Sequence, residues 1–196
     1  MVKRIGILGD IGSGKSFVAR QFGYPIFNAD KEVNKIYSKN RTCFKKLKKK
    51  LPKYIKSYPI NKTDLSNAIL EDNRNLKKIV NIVHPLIRKK LNFFLKKNFK
   101  KKIVILDIPL LIENKLNKKK DILVFVEAKK KEINLRLKKR INYNKKLLDN
   151  FRKIQKPLAF KKKLSTYIIK NNFKLSTIKK NIKIIKYKII NERNST

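Results

Sequence analysis

The chain has 196 residues, 54 Lys and Arg against 13 Asp and Glu, a formal net charge of +41 and a hydrophobic share of 41%. That length suits one domain, and that apolar share excludes wholesale disorder. One cysteine, Cys43, excludes an internal disulfide and a multi-cysteine metal site, and it fits a reducing cytosol.

Charge alone would point to nucleic acid or an anionic membrane. The basic residues, however, run along the whole chain, while Lys, Asn and Ile abound and Gly, Met and Trp are scarce. Such usage reads as AT bias at tolerant surface positions. It predicts weak, non-specific polyanion binding and no specific nucleic-acid partner.

Taken in chain order, Arg4–Leu8 is an apolar run that reads as a buried strand. Gly9-Asp10-Ile11-Gly12-Ser13-Gly14-Lys15-Ser16 follows at once and fits G-x-x-x-x-G-K-[ST], the phosphate-binding P-loop. Its glycines allow backbone angles that turn successive N–H groups inward as an anion nest. A helix starting near Gly14 and running through Phe17–Phe22 adds further N–H groups and a positive dipole end. Lys15 supplies a mobile charge at the β/γ-phosphates, and the Ser16 hydroxyl suits Mg²⁺. Of five glycines in the chain, four lie between Gly6 and Gly14, so the match is not a by-product of glycine richness. The dinucleotide fingerprint G-x-G-x-x-G does not fit this spacing.

Pro25–Phe27 is the second predicted strand, and it leads into Asn28-Ala29-Asp30. Asp30 is thereby expected at the carboxyl edge of the sheet, beside the first strand, where ligands bind in open α/β sheets. A carboxylate there can accept a proton from an attacking hydroxyl or orient it, and it can equally cap a helix starting at Lys31. Between about 31 and 101, Leu76, Ile79, Val80, Val83, Leu86 and Ile87 form a helical stripe, with a bend expected at Pro85.

Ile103–Leu106 and Ile122–Val126 are the third and fourth strands, and Tyr167–Ile169 is a weaker fifth. Between the last two, Ile133 and Leu137, then Leu147, Phe151 and Ile154, predict two amphipathic helices. Leu175, Ile178, Ile182, Ile185 and Ile189 predict a closing helix. The alternation implies an α/β fold, a parallel sheet covered on both faces. Apolar runs such as 122–126 are far too short to span a bilayer, and Asp10 and Lys15 interrupt any signal-peptide region. A cytoplasmic monomer is expected.

Several stretches together resemble the dephospho-CoA kinase family. They are GDIGSGKSFVA at 9–19, NAD at 28–30, HPLI at 84–87, DIPLLIEN at 107–114, VEAKKKEINLRLKKR at 126–140, QKPLAFKK at 155–162 and YIIKNN at 167–172. Asp-x-Pro-Leu-Leu-x-Glu is far more specific to this family than the P-loop. The resemblance implies a P-loop NTPase three-layer fold with a five-stranded parallel sheet, a helical substrate-binding insertion and a lid. On the matching positions the core falls at about 1–30, 101–128 and 165–196, the CoA-binding insertion at 31–100 and the lid at 129–164.

The implied reaction is ATP- and Mg²⁺-dependent phosphorylation of the ribose 3′-hydroxyl of dephospho-CoA. Asp30 would activate or orient that hydroxyl, while Lys15 and the loop from Gly9 to Phe17 hold ATP. Arg136 would clamp the transferring phosphoryl group, with Arg140 one helical turn away on the same face; a solvated basic face is the alternative for both. Asp107 would stand near Mg²⁺ with Ser16, or else hydrogen-bond the P-loop backbone. His84, Pro109, Leu110 and Glu113 would lie on the acceptor side, although His84 before Pro85 could simply end a helix. Three features depart from the family pattern: Ile141 follows Arg140, Ser165-Thr166 precede the fifth strand, and the glycine near that strand's exit is missing from KNNF. Another small-molecule P-loop kinase, or a basic nucleotide-switched nucleic-acid binder, are the competing readings.

Overall fold

In a computed structural model, residues 2–141 and 143–191 are described here. The sequence expectations that reach to residue 196 therefore lie partly outside the described residues. The strands are β1 (Lys3–Gly9), β2 (Ile26–Asn28), β3 (Ile103–Asp107), β4 (Ile122–Glu127) and β5 (Tyr167–Lys170). They form one sheet in the order β2-β3-β1-β4-β5, with every neighbouring pair parallel.

This order corrects one expectation. β2 lies beside β3, not beside β1, because β3 occupies the position between them. The physical reason is legible in β3 itself: IVILD is buried at all five positions, so it needs a strand on each side and a helix layer on each face. A three-residue β2 is suited to the edge.

The helices are α1 (Lys15–Gln21), α2 (Ala29–Lys39), α3 (Arg41–Lys50), α4 (Lys62–Glu71), α5 (Arg74–Lys97), α6 (Lys130–Lys138), α7 (Lys145–Lys153), α8 (Leu158–Leu164) and α9 (Leu175–Asn191). The chain divides into two compact units. One comprises the described residues of Met1–Asn28, Asn98–Tyr143 and Gln155–Thr196, and it contains the whole sheet. The other, Ala29–Lys97 with Asn144–Ile154, is helical.

In the sheet unit, alternation along β1 assigns each residue to a face. Ile5 and Ile7 join Val124, Val126 and Ile169 under Val18, Ala19 and Phe22 of α1 and Ile178, Ile182, Ile185 and Ile189 of α9. Gly6 points to the other face, where Leu111 and Leu123 close over it so tightly that a β-carbon would sit 2.5 Å from Leu111 Cδ2. α8 packs against β1 and β4. In the helical unit, α5 presents Leu76, Ile79, Val83, Ile87 and Leu91 as its buried stripe, and α2, α3 and α4 pack on it.

Helix α5 continues unbroken past Pro85, so the reading of His84 as a helix end does not hold. Pro85 is exposed, and it costs the helix one backbone hydrogen bond. The interval after β4 holds three helices instead of two. α8 escapes a hydrophobicity reading because its buried residue is Lys161, while Leu158, Phe160 and Leu164 are exposed. α2, α3 and α4 escape it too, because each buries only two or three residues. No described helix is long and apolar enough to cross a membrane.

A buried cation is built into the sheet. Arg4 of β1 donates through Nη2 to the Leu116 carbonyl and to Asp121 Oδ2, both at 2.8 Å, with Asp121 almost wholly buried. Removing one partner of such a pair strands the other charge in low dielectric. Arg4→Ala is expected to lose about 3–5 kcal/mol of stability, read as a lower denaturant midpoint at neutral pH.

Candidate active site

The loop between β1 and α1 is shaped by its own backbone. Ser13 N–H donates to the Asp10 carbonyl at 3.1 Å, closing a turn, and Phe17 and Val18 N–H donate to the Gly14 carbonyl at 3.0 Å to start α1. Gly14 caps that helix in the left-handed region at φ 91°. A side chain there would be strained, and its β-carbon would lie 2.4 Å from Asn171 Nδ2. Lys15 Nζ folds back over the loop, donating to the carbonyls of Asp10 at 2.7 Å and Gly9 at 3.2 Å. Its charge therefore rests on the first two carbonyls of the loop. The Ile11 N–H is taken by the Asp10 carboxylate at 2.7 Å, so Asp10 braces the loop from within. Ser16 and Phe17 lie in the first turn of α1, half-buried.

Asn171, one residue beyond β5, locks this loop from outside. Its Nδ2 donates to the Ser13 carbonyl at 2.8 Å, its Oδ1 accepts the Phe173 N–H at 2.7 Å, and its own N–H donates to the Glu127 carbonyl at 2.7 Å. The residue is buried, so each of these groups needs its partner. Phe173 is thereby held at φ 61°, and the guanidinium of Arg136 lies over its ring, 4.3 Å from the centroid.

Arg136 belongs to α6, which packs directly on the P-loop: a β-carbon on Gly12 would come within 3.0–3.1 Å of Leu137 and Ile133. The apolar stripe of α6 thus faces the loop and Arg136 is exposed beside it. Arg140 differs from expectation. α6 ends at Lys138 with Lys139 as its cap, so Arg140 lies in the following turn and shares no helical face with Arg136. Ile141 next to it is fully exposed.

Asp107 ends β3, buried, and since Gly6 pairs with Leu106 it stands level with Ile7 of β1. Its Oδ2 accepts a hydrogen bond from Asn28 Nδ2, its register partner on β2, rather than from the P-loop backbone. That bond fixes the exit of β2, two residues before Asp30. Asp30 lies inside the first turn of α2, which starts at Ala29, so it is not the helix cap. A carboxylate there also complements the helix dipole.

After β3, Ile108 and Leu111 enter the core while Pro109 and Leu110 stay half-exposed. Glu113 pairs with Lys161 of α8 at 2.7 Å. His84 is half-buried within α5, and burial, together with neighbouring Arg88, pushes its imidazole below the ordinary 6.5. Cys43 is buried, which pushes its thiol up to about 11, and no reactive thiolate results.

Lys15, the loop amides, Arg136 and Asp107 are thus gathered in the sheet unit, whereas Asp30 and His84 belong to the helical one. Asn171 and Phe173 are the residues that sequence reasoning passed over. YIIKNN held the signal, a polar pair directly after a strand, but asparagine is too common in this chain to stand out.

Asn171→Ala leaves the Ser13 carbonyl and the Phe173 N–H without their partner. ATP affinity is expected to fall by roughly tenfold, corresponding to about 1.4 kcal/mol, in a titration calorimetry comparison with the unsubstituted chain. For His84 the folded state binds a proton less readily than the unfolded chain. Stability is therefore complete above 6.5 and declines as pH falls below it. His84→Gln should flatten that decline in denaturation midpoints taken at about pH 7.5 and about pH 5.5.

Residues 3–177 match the family model CoaE: Dephospho-CoA kinase. A dephospho-CoA kinase of Wolbachia sp. subsp. Brugia malayi is 33% identical over 170 residues, covering 84% of this chain and 87% of that protein. One from Streptococcus agalactiae serotype Ia is 34% identical over 190 residues, covering 93% and 96%. The solved dephospho-CoA kinase of Campylobacter jejuni superposes with a TM-score of 0.66 at 20% identity, over 96% of this chain and 98% of that one, a likeness that speaks for the fold. Sequence and architecture agree, and the chain belongs to the dephospho-CoA kinase family.

Proposed function

We propose that this chain, a cytoplasmic monomer, passes the γ-phosphoryl group of ATP to the ribose 3′-hydroxyl of dephospho-CoA, giving CoA and ADP as the last step of CoA synthesis. The observation that carries this reading is the braced P-loop, with Lys15 folded across it and α6 seated on it at Gly12. Little covalent chemistry is asked of the protein in such a transfer; placement and charge do most of the work.

Lys15 and the loop from Gly9 to Phe17 hold the phosphates of ATP. Arg136 leaves the Phe173 ring to stabilise charge on the equatorial oxygens of the transferring group. Arg140 supports the nucleotide from the turn after α6. Asp30, held two residues beyond the Asn28–Asp107 bond, orients the 3′-hydroxyl and takes its proton. His84, neutral at physiological pH, and the half-exposed Pro109 and Leu110 line the acceptor side. The helical insertion 31–100 receives dephospho-CoA, and the segment 129–164 serves as the lid.

The Ser16 hydroxyl in the first turn of α1 and the Asp107 carboxylate at the end of β3 are hard oxygen donors. Such a pair fits Mg²⁺, which takes few protein ligands and completes its shell with phosphates and water. When bound, the ion would neutralise charge on the β- and γ-phosphates.

A coupled ADP-release assay with Mg-ATP tests the assignment. Release should depend on dephospho-CoA, and a folded chain that ignores it would sink the proposal. Asp30→Asn is expected to lower kcat by about 10²–10³ while ATP affinity stays within about twofold. Equal loss of both would refute the role given to Asp30.

A further inference from the structure

Glu113 and Lys161 form a buried ion pair for which phosphate binding has no use. Nζ and Oε1 are 2.7 Å apart, with side-chain exposures of 1% for the lysine and 9% for the glutamate. The same Oε1 accepts the Lys156 N–H at 2.8 Å, and Lys161 also donates to Gln155 Oε1 at 2.8 Å. The second carboxylate oxygen, Oε2, is buried with no hydrogen bond among the described residues. Burying two charges is costly, and a well-packed apolar pair would serve stability as well or better. What an ion pair adds is a fixed geometry.

The pair joins two pieces of the sheet unit. One is the loop that follows β3, bent through short turns by Leu111 N–H to Ile108, Asn114 N–H to Leu110 and Lys115 N–H to Ile112. The other is the stretch 155–161, where the chain returns to the sheet unit after α7. At its near end the loop is anchored by Ile108 and Leu111 in the core. At its far end Lys115 turns out at φ 51°, an uncommon conformation for a side-chain-bearing residue, and Glu113 supplies the polar anchor just before it. Pro109 and Leu110 lie between these two anchors.

We propose that the Glu113–Lys161 pair is a latch that holds the loop after β3 in register for the acceptor, so that Glu113 is a positioning residue and not a substrate contact. The identity of the acceptor rests on the function proposed above. The latch acts through Pro109 and Leu110, and it has no hand in holding ATP.

Glu113→Gln, Lys161→Met and the double variant test this, with Glu113→Asp as a charge-retaining control. Each single variant should raise the KM for dephospho-CoA by about tenfold while the KM for ATP stays within about twofold. The double variant should lie closer to the unsubstituted chain than either single one, because no charge is left stranded. Hydrogen exchange, read without substrate, should quicken at 108–116 and 155–161 in the single variants and not in β1 or β4. Should Lys161→Met fold poorly, Glu113→Asp should show the same selective exchange to a smaller degree. An elevated KM in Glu113→Gln alone would make Glu113 a direct contact and overturn the latch. Unchanged KM values with uniformly faster exchange would reduce the pair to general stability and overturn it also. If the unsubstituted chain ignores dephospho-CoA, the proposed function fails. Selective exchange at the two segments would still separate that failure from failure of the latch.

Discussion

The carbonyl of Ser13 and the side-chain amide of Asn171 meet at 2.8 Å across 158 residues of chain. Much of the shape of the P-loop depends on that contact. A glycine-rich loop has more backbone freedom than any other segment, and freedom is costly where N–H groups must converge on one anion. Here the loop is braced internally by Asp10 and Lys15 and externally by Asn171. Gly14 leaves room for the Asn171 amide, so loop and clamp are mutually dependent. The same asparagine fixes Phe173, and through its ring the resting place of Arg136. The P-loop and Arg136 are thus tied to the end of one edge strand.

Against a net charge of +41, the thirteen carboxylates are the informative residues. Asp121 holds Arg4 inside the sheet, Glu113 holds Lys161, Glu127 holds Lys162, and Asp107 holds Asn28 at the exit of β2. Most lysines, by contrast, cover exposed helix faces, where long stems shield apolar surface and the ammonium stays in water. The excess of positive charge is therefore compatible with a specific enzyme. Specificity resides in the few acidic and amide groups that are buried or placed at strand ends.

The sheet was legible because its strands are short, dense apolar runs: β3 and β4 differ from the reading by one residue at their ends. The P-loop was legible because glycine is so scarce elsewhere. Strand order was not, since crossover connections leave no local trace, and the place of β2 beside β3 follows only from the burial of β3 on both sides. α8 was hidden by polarity inversion, with a lysine inside and Phe160 outside. Asn171 was hidden because a clamp made by one amide has no periodicity at all. Arg140 shares no helical face with Arg136 for a simpler reason: α6 stops two residues before it, a boundary that no glycine or proline marks.

In the function proposed for this chain, the loop with its Asn171 clamp and Arg136 delivers a phosphoryl group to one particular hydroxyl. Phosphorus NMR of the products formed from Mg-ATP and dephospho-CoA tests it most directly. ADP and a new phosphomonoester resonance coupled to the ribose 3′ proton are expected in equal amounts. ADP accumulating without that resonance, or a phosphomonoester at any other position, would contradict it.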